Sequence, residues 1–252
     1  MTGLTVSAVS HRFGLTEVLQ GVSLMVAHGE TVALVGPSGC GKTTLLNLCG
    51  GLLRASDGEI VNAFATTAHM FQQPRLLPWK TALDNIALGL KARGMAQSER
   101  HRRAKALALE MGLDSSDLDK FPHELSGGMQ SRVALARAFA IEPDLLLLDE
   151  PFSALDIGLK SELYGLLLAQ VAERNAGVLM ITHDLMEAVR LAHRVLVMAP
   201  EPGRIVKRFP LATDPARRDD AFVYHTTGEL MRAPEVRASF GLRTAPNEAS
   251  TA

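Results

Sequence analysis

Gly36-Pro37-Ser38-Gly39-Cys40-Gly41-Lys42-Thr43 has the spacing G-x-x-x-x-G-K-[ST], and Thr44 opens the helix-like run Thr44-Leu45-Leu46-Asn47-Leu48. A polyphosphate needs several converging N–H donors with no side-chain bulk in the way. Glycines permit that approach, and a helix N-terminus behind them adds a favourable dipole. In this pattern Lys42 is a point charge for the β- and γ-phosphates, and the Thr43 hydroxyl is a ligand for Mg2+. A Gly-rich segment alone can be an ordinary turn. Here the apolar run Thr31-Val32-Ala33-Leu34-Val35 before it supplies the strand that the motif requires.

Two further segments carry chemistry. Leu145-Leu146-Leu147-Leu148 ends in Asp149-Glu150, placing two acids at the carboxyl end of a buried strand, where α/β sheets bind ligands. Asp149 can hold Mg2+ directly or through water, and Glu150 can polarise an attacking water. Leu125-Ser126-Gly127-Gly128-Met129 precedes a run in which Met129, Val133, Ala136 and Ala140 fall on one helical face. Ser126 suits the N-cap, and the glycines leave the first amides open. This is a second anion-seeking helix start. Because one nucleotide already has its phosphate loop, it points to a site completed by another copy of the chain.

The elements that must position these residues alternate between strand-like and helix-like stretches. Thr31 to Val35, Leu145 to Leu148, Val178 to Ile181 and Val195 to Met198 are unbroken apolar runs, as expected of parallel strands covered on both faces. The alternation of Val22, Leu24 and Val26 with polar or small neighbours predicts a peripheral, antiparallel strand. Between about 74 and 142 no long β-type run occurs, which predicts a helical insertion. Leu159, Leu163, Leu166, Leu167 and Val171 form the core stripe of another helix. From about residue 200 prolines and charges increase and periodicity weakens. The end, Thr244 to Ala252, reads as frayed.

Composition narrows the class. The 252 residues carry 26 Lys+Arg and 27 Asp+Glu, a formal charge of −1, against a mainly electrostatic nucleic-acid binder. Mean hydropathy is slightly positive at +0.11, yet no apolar run reaches the ~18 residues of a membrane span. The N-terminus lacks a secretory pattern, so the chain reads as cytosolic. Two cysteines, Cys40 and Cys49, are too few for a disulfide scaffold and read as reduced structural thiols.

Taken together, Gly36 to Thr43, Leu125 to Met129, Leu145 to Glu150, Ser153-Ala154-Leu155-Asp156 and Ile181-Thr182-His183-Asp184 resemble the nucleotide-binding subunit of ATP-binding cassette transporters. The resemblance runs in order from about Leu4 to Pro210. It implies an α/β P-loop NTPase fold with a mostly parallel core sheet, peripheral antiparallel strands and an inserted helical subdomain. A cassette over 1–210 and an extension over 211–252 are expected.

ATP and Mg2+ are the implied cofactors. Ser126, Gly127 and Gly128 would contact the γ-phosphate held by a second copy. Gln72 would touch Mg2+ and the attacking water while coupling to a membrane subunit, with Gln73 the adjacent alternative. Asp156 would link two sites across a dimer, His183 would contact the γ-phosphate, and Phe13 would stack on adenine.

Two positions depart from the family pattern. Met129 stands where Gln is common, and only 30 residues separate Lys42 from Gln72, so Asn62 to Thr67 replaces a longer hairpin and the antiparallel sheet is expected to be trimmed. Pro74-Arg75-Leu76-Leu77-Pro78-Trp79 is similar to importers for nitrate, sulfonates and taurine, and an exposed Trp79 there would anchor a permease.

The resemblance implies a motor subunit peripheral to the cytoplasmic side of the inner membrane. Its partners would be a second copy, permease subunits and, indirectly, a periplasmic or surface solute-binding protein, with no nucleic acid. A non-transport cassette ATPase acting on ribosomes or DNA is the rival, but such relatives typically need two cassettes or a long coiled coil. A P-loop kinase would leave Ser126 to Met129 and His183 without a role.

Overall fold

The computed structural model describes residues 3–241. Strand β1 (Leu4–Phe13), β2 (Thr16–Val26) and β3 (Thr31–Val35) lead to helix α1 (Lys42–Cys49), followed by β4 (Asp57–Asn62) and β5 (Thr67–Met70). Four helices come next: α2 (Ala82–Ile86), α3 (Leu88–Ala92), α4 (Gln97–Glu110) and α5 (Gly127–Ala140). The chain then alternates through β6 (Leu145–Asp149), α6 (Ile157–Arg174), β7 (Gly177–Ile181), α7 (Leu185–Leu191) and β8 (Arg194–Ala199). It finishes with β9 (Arg204–Pro210), α8 (Asp220–Arg232) and α9 (Pro234–Ser239).

Two sheets form. A six-stranded sheet has the order β5-β6-β7-β3-β8-β9, parallel except for β9, and a three-stranded antiparallel sheet has the order β2-β1-β4. Period-two alternation explains how the unbroken apolar strands serve both faces. Ala33, Val35, Leu146, Leu148, Val178 and Met180 belong to the core under α2 to α6. Val32, Leu34, Leu145, Leu147, Leu179 and Ile181 belong to the core that meets α1 and the antiparallel sheet. The expected helical insertion is the crossover from β5 to β6, two adjacent parallel strands. In the antiparallel sheet β4 pairs with β1, and five residues later the chain re-enters the other sheet as β5.

The stretch after residue 200 is more ordered than its composition predicts. Strand β9 is an edge strand with half-buried and exposed residues only, so it never shows a buried run. Helix α8 buries Val223, Thr227 and Leu230, and the threonine interrupts the apolar stripe by which the helix would have been recognised. Thr244 to Ala252 lie outside the described residues.

Arg218 fastens this extension to the body. It is 7% exposed, and its guanidinium donates to the carbonyls of Val189 and Ala192 at the end of α7 and to that of Thr213. A cation on the last carbonyls of a helix satisfies orphan acceptors and complements the dipole. Removing the donor leaves buried carbonyls unpaired, which costs ~1–3 kcal/mol. Arg218→Met is therefore expected to lower unfolding free energy by about that amount in a denaturant titration; an unchanged midpoint would mean that water replaces the guanidinium.

His69 on β5 lies face to face with Phe71 at 4.3 Å between ring centroids, and neither ring nitrogen has a hydrogen-bond partner among the described residues. Burial, aided by the Arg75 charge, pushes its pKa down to about 4. The unfolded chain therefore takes up a proton near pH 6.5 that the folded chain refuses, and stability falls as pH drops from about 6.5 toward about 4. The loss of thermal midpoint between pH 7 and pH 5 should be smaller in His69→Gln than in the wild type; equal slopes would remove His69 as a cause.

Candidate functional site

The phosphate loop leaves β3 at Val35, whose strand is wholly buried between β7 and β8. Two glycines have no alternative here. A Cβ on Gly36 would lie 2.6 Å from the Met198 carbonyl oxygen, and Gly41, at φ 93°, would meet Leu19 at 2.6 Å. Lys42 is 8% exposed, and its Nζ donates to the carbonyls of Gly36 and Pro37, both at 2.8 Å. The loop thus satisfies a buried ammonium with its own backbone. Cys40 packs 3.7 Å from that Nζ, and burial raises its thiol pKa, so Cys40 is a structural neighbour of the lysine. Both Cys40 and Cys49 are free and buried.

Thr43 donates its hydroxyl to Asp149 Oδ2 at 2.9 Å. Asp149 ends β6 and is 2% exposed; burial pushes its carboxyl pKa up, while the Thr43 hydroxyl works in the opposite direction. A hydroxyl oxygen and a carboxylate oxygen on one side of the loop form a hard donor pair suited to Mg2+, which normally takes one or two protein oxygens plus phosphate and water. No cluster of three or more His, Cys, Asp or Glu with metal-binding geometry occurs among the described residues.

Glu150 follows in the left-handed region at φ 49°, with its N–H donating to the Ile181 carbonyl at 2.9 Å. That turn aims the carboxylate away from the strand. Its Oε2 lies 3.2 Å from His183 Nδ1 and 3.4 Å from Gln72 Nε2. Three residues separated by as much as 111 positions in sequence thus meet at one oxygen. His183 leaves β7 just before Asp184, which caps α7 by accepting from the N–H groups of Met186 and Glu187. Of the two adjacent glutamines, Gln72 is the one bonded to Glu150.

A cavity of about 360 Å3 is lined by Ser38, Gly39, Lys42, Thr43, Gln72 and Glu150, with Gly41, Thr44, Val18 and Ile181 completing its walls. Ser126, Gly127, Gly128, Asp156, Phe13 and His183 are not among its lining residues. Ser126 caps α5, accepting from the Met129 N–H at 3.3 Å, and it is exposed with Gly127. A Cβ on Gly127 would meet nothing within 4 Å, so this helix start faces open space. Asp156 caps α6 through the Leu159 N–H at 3.0 Å and is exposed beside Ile157. Phe13 is 51% exposed at the end of β1. A larger cavity of about 530 Å3 lies at the β5 edge between α3 and α5; it has an apolar wall and no glycine loop.

Three contributors escape a motif search. Val18 lines the cavity from β2. Gly203 donates to Val18 O at 2.9 Å, and a Cβ there would sit 2.2 Å from Cys40 O, so it closes the floor of the loop from within the Pro-rich stretch. Arg137 reaches the Gln72 segment from α5 through two backbone carbonyls. None has a local pattern; each is recognisable only from pairing across the fold.

Comparison with known proteins identifies relatives over most of the chain. The family model described as ABC transporter matches residues 19–153. The chain is 43% identical to the aliphatic sulfonates import ATP-binding protein of Corynebacterium glutamicum over 232 residues, 92% of this chain and 94% of that protein. It is 39% identical to the taurine import ATP-binding protein of Pseudomonas aeruginosa, covering 96% of this chain and 92% of that one. Among solved structures, a dimeric post-hydrolysis state of an ATP-binding cassette bound to ADP and phosphate superposes with a TM-score of 0.77 at 30% identity, covering 84% of this chain and 100% of that one. An ATP-binding subunit of an ABC transporter gives 0.75 at 28% identity over 97% of this chain and 95% of that one. With a family model matching more than half of its residues and relatives of about 40% identity over nearly its whole length, the chain belongs to the ABC transporter family as an ATP-binding subunit.

Proposed function

We propose that the chain is the ATP-hydrolysing motor of an importer for a small sulfonate such as taurine, working as a head-to-tail pair on the cytoplasmic side of the membrane. The observation that carries the hydrolytic reading is the meeting of Glu150, His183 and Gln72 at one oxygen above the phosphate cavity. In this reading the cassette spans 1–210 with its helical insertion at 74–142, and 211–252 forms the extension.

The loop amides of 36–44 cradle the triphosphate, and Lys42 exchanges its two backbone carbonyls for phosphate oxygens. Thr43 and Asp149 hold Mg2+, with Gln72 reaching the same region. When bound, the metal neutralises charge on the β- and γ-phosphates. Glu150 accepts the proton of the attacking water, while His183 and Gln72 fix its position.

Ser126, Gly127 and Gly128 of one copy complete the phosphate site of the other, and Asp156 spans the seam between the two. Phe13 stacks on adenine. Trp79, 71% exposed just beyond Gln72, is the anchor offered to the permease. A solute-binding protein outside the membrane delivers the substrate to that permease. The sulfonate class rests on the likeness to the two sulfonate and taurine import ATP-binding proteins described above.

Glu150→Gln should retain ATP, accumulate as a dimer in size-exclusion chromatography with Mg-ATP and lose kcat by ~10²-fold or more; hydrolysis at the wild-type rate would reject Glu150 as the general base. Lys42→Ala should bind a fluorescent ATP analogue more than ~10-fold less tightly, as loss of a charge-assisted contact implies. For the substrate class, deleting the gene in its host should abolish uptake of labelled taurine or alkanesulfonate. The wild-type gene, but not Glu150→Gln, should restore it; unaltered uptake after deletion would reject the sulfonate assignment.

A further inference from the structure

The segment from Gln72 to Thr81 joins β5 to α2, and it belongs to neither. Two side chains from the helical layer hold its backbone. Arg137, in the last turn of α5, donates Nη2 to the Pro74 carbonyl at 2.7 Å and Nη1 to the Arg75 carbonyl at 3.0 Å. Asn85, fully buried on α2, accepts from the Leu77 N–H at 2.7 Å and donates to the carbonyls of Leu77, Lys80 and Thr81. Arg75 stands in the left-handed region at φ 44°, with its guanidinium 4.2 Å from the Phe71 ring. The turn is therefore pinned on both sides of its most constrained residue.

The placement of Arg137 has a mechanical consequence. It lies 11 residues along from Ser126, the cap of the same helix, so the two ends of α5 are ~16 Å apart on one rigid rod. One end presents Ser126, Gly127 and Gly128; the other grips the backbone two residues beyond Gln72. The bidentate grip of a planar guanidinium fixes orientation as well as distance. We infer that Arg137 is a positioning residue for hydrolysis: it transmits the attitude of α5 to Gln72, and so sets whether Gln72 reaches Glu150. A helix end that is moved when another copy's nucleotide docks on Ser126 then adjusts the amide at the water site of its own chain.

This rests on Gln72 and Glu150 acting in hydrolysis as proposed above, and the test separates the two claims. Steady-state ATPase and fluorescent-nucleotide binding are measured on the full chain for wild type, Arg137→Met, Arg137→Lys, Gln72→Ala and the doubles with Gln72→Ala, each with its thermal midpoint. Arg137→Met should lower kcat by about 10- to 100-fold, the range a displaced catalytic group produces, with nucleotide affinity changed less than ~2-fold because the phosphate loop is untouched. Arg137→Lys keeps one donor and should recover part of the loss; it also carries the cycle if the Met variant fails to fold. In the Gln72→Ala background neither Arg137 substitution should lower kcat further, since coupled residues are non-additive. Full additivity with a defective Gln72→Ala, or a loss of affinity and midpoint in proportion to kcat, would overturn the inference while leaving the ATPase reading intact. A Gln72→Ala chain with wild-type kcat would overturn the Gln72 assignment and the inference with it.

Discussion

The parallel register of β6, β7 and β3 is the constraint on which the rest of the molecule depends. Asp149 pairs across to Ile181, and Ile181 pairs across to Leu34, so three strands finish in one row. Neighbouring strands lie about 4.8 Å apart, which puts the Asp149 and Leu34 backbones ~10 Å from one another with a single strand between them. Everything chemical then follows from what each strand releases at that edge. From β3 comes the phosphate loop, from β6 the acid pair, and from β7 the segment carrying His183. A slip of one residue in β6 would turn Asp149 to the opposite face and break its bond to Thr43.

Charge placement in this edge is governed by burial. Lys42 and Asp149 are both nearly inaccessible, yet they are not paired with each other: Lys42 is satisfied by Gly36 and Pro37 carbonyls and Asp149 by the Thr43 hydroxyl. A direct ion pair would be costly to separate in a buried setting. Bonds to neutral partners leave both groups free to exchange in the proposed reaction, where the ammonium would turn to a phosphate and the carboxylate to a cation. The raised pKa of Asp149 has the same origin, because burial opposes its charge until a cation compensates it.

Legibility in the sequence followed the range of the interactions. The phosphate loop, the acid pair and the Ser126 cap are local patterns, and their strands are short apolar runs, so fold class and candidate residues could be read directly. The family resemblance supplies Gln72 and His183 as candidate residues but not their meeting with Glu150, which in the fold accompanies the left-handed turn at Glu150 that no periodicity reveals. Arg137, Gly203 and Arg218 act through backbone carbonyls or through a lack of space, which leaves no side-chain motif to find. The chain beyond residue 200 has little apolar periodicity because β9 is an edge strand and α8 carries a threonine in its buried stripe. The buried contacts of Val189 with Val223 and Leu230 nevertheless tie it to α7.

In the proposed head-to-tail pair each copy supplies what the other's site lacks. The phosphate cavity is lined by the loop, Gln72 and Glu150, whereas Ser126, Gly127 and Gly128 are not among its lining residues, and a Cβ on Gly127 would meet nothing within 4 Å. In the proposed pair a γ-phosphate would receive the Ser126 to Gly128 helix start, so the closed pair would gain contacts that the open pair lacks. Differential contact of this kind is what allows a ligand to drive a conformational change at all. A shift from almost entirely open to almost entirely closed needs ~5.5 kcal/mol, and two such sites on a symmetric pair would each have to supply only about half of it. In that reading hydrolysis removes the phosphate that this helix start would hold, and the contacts that closed the pair would be lost.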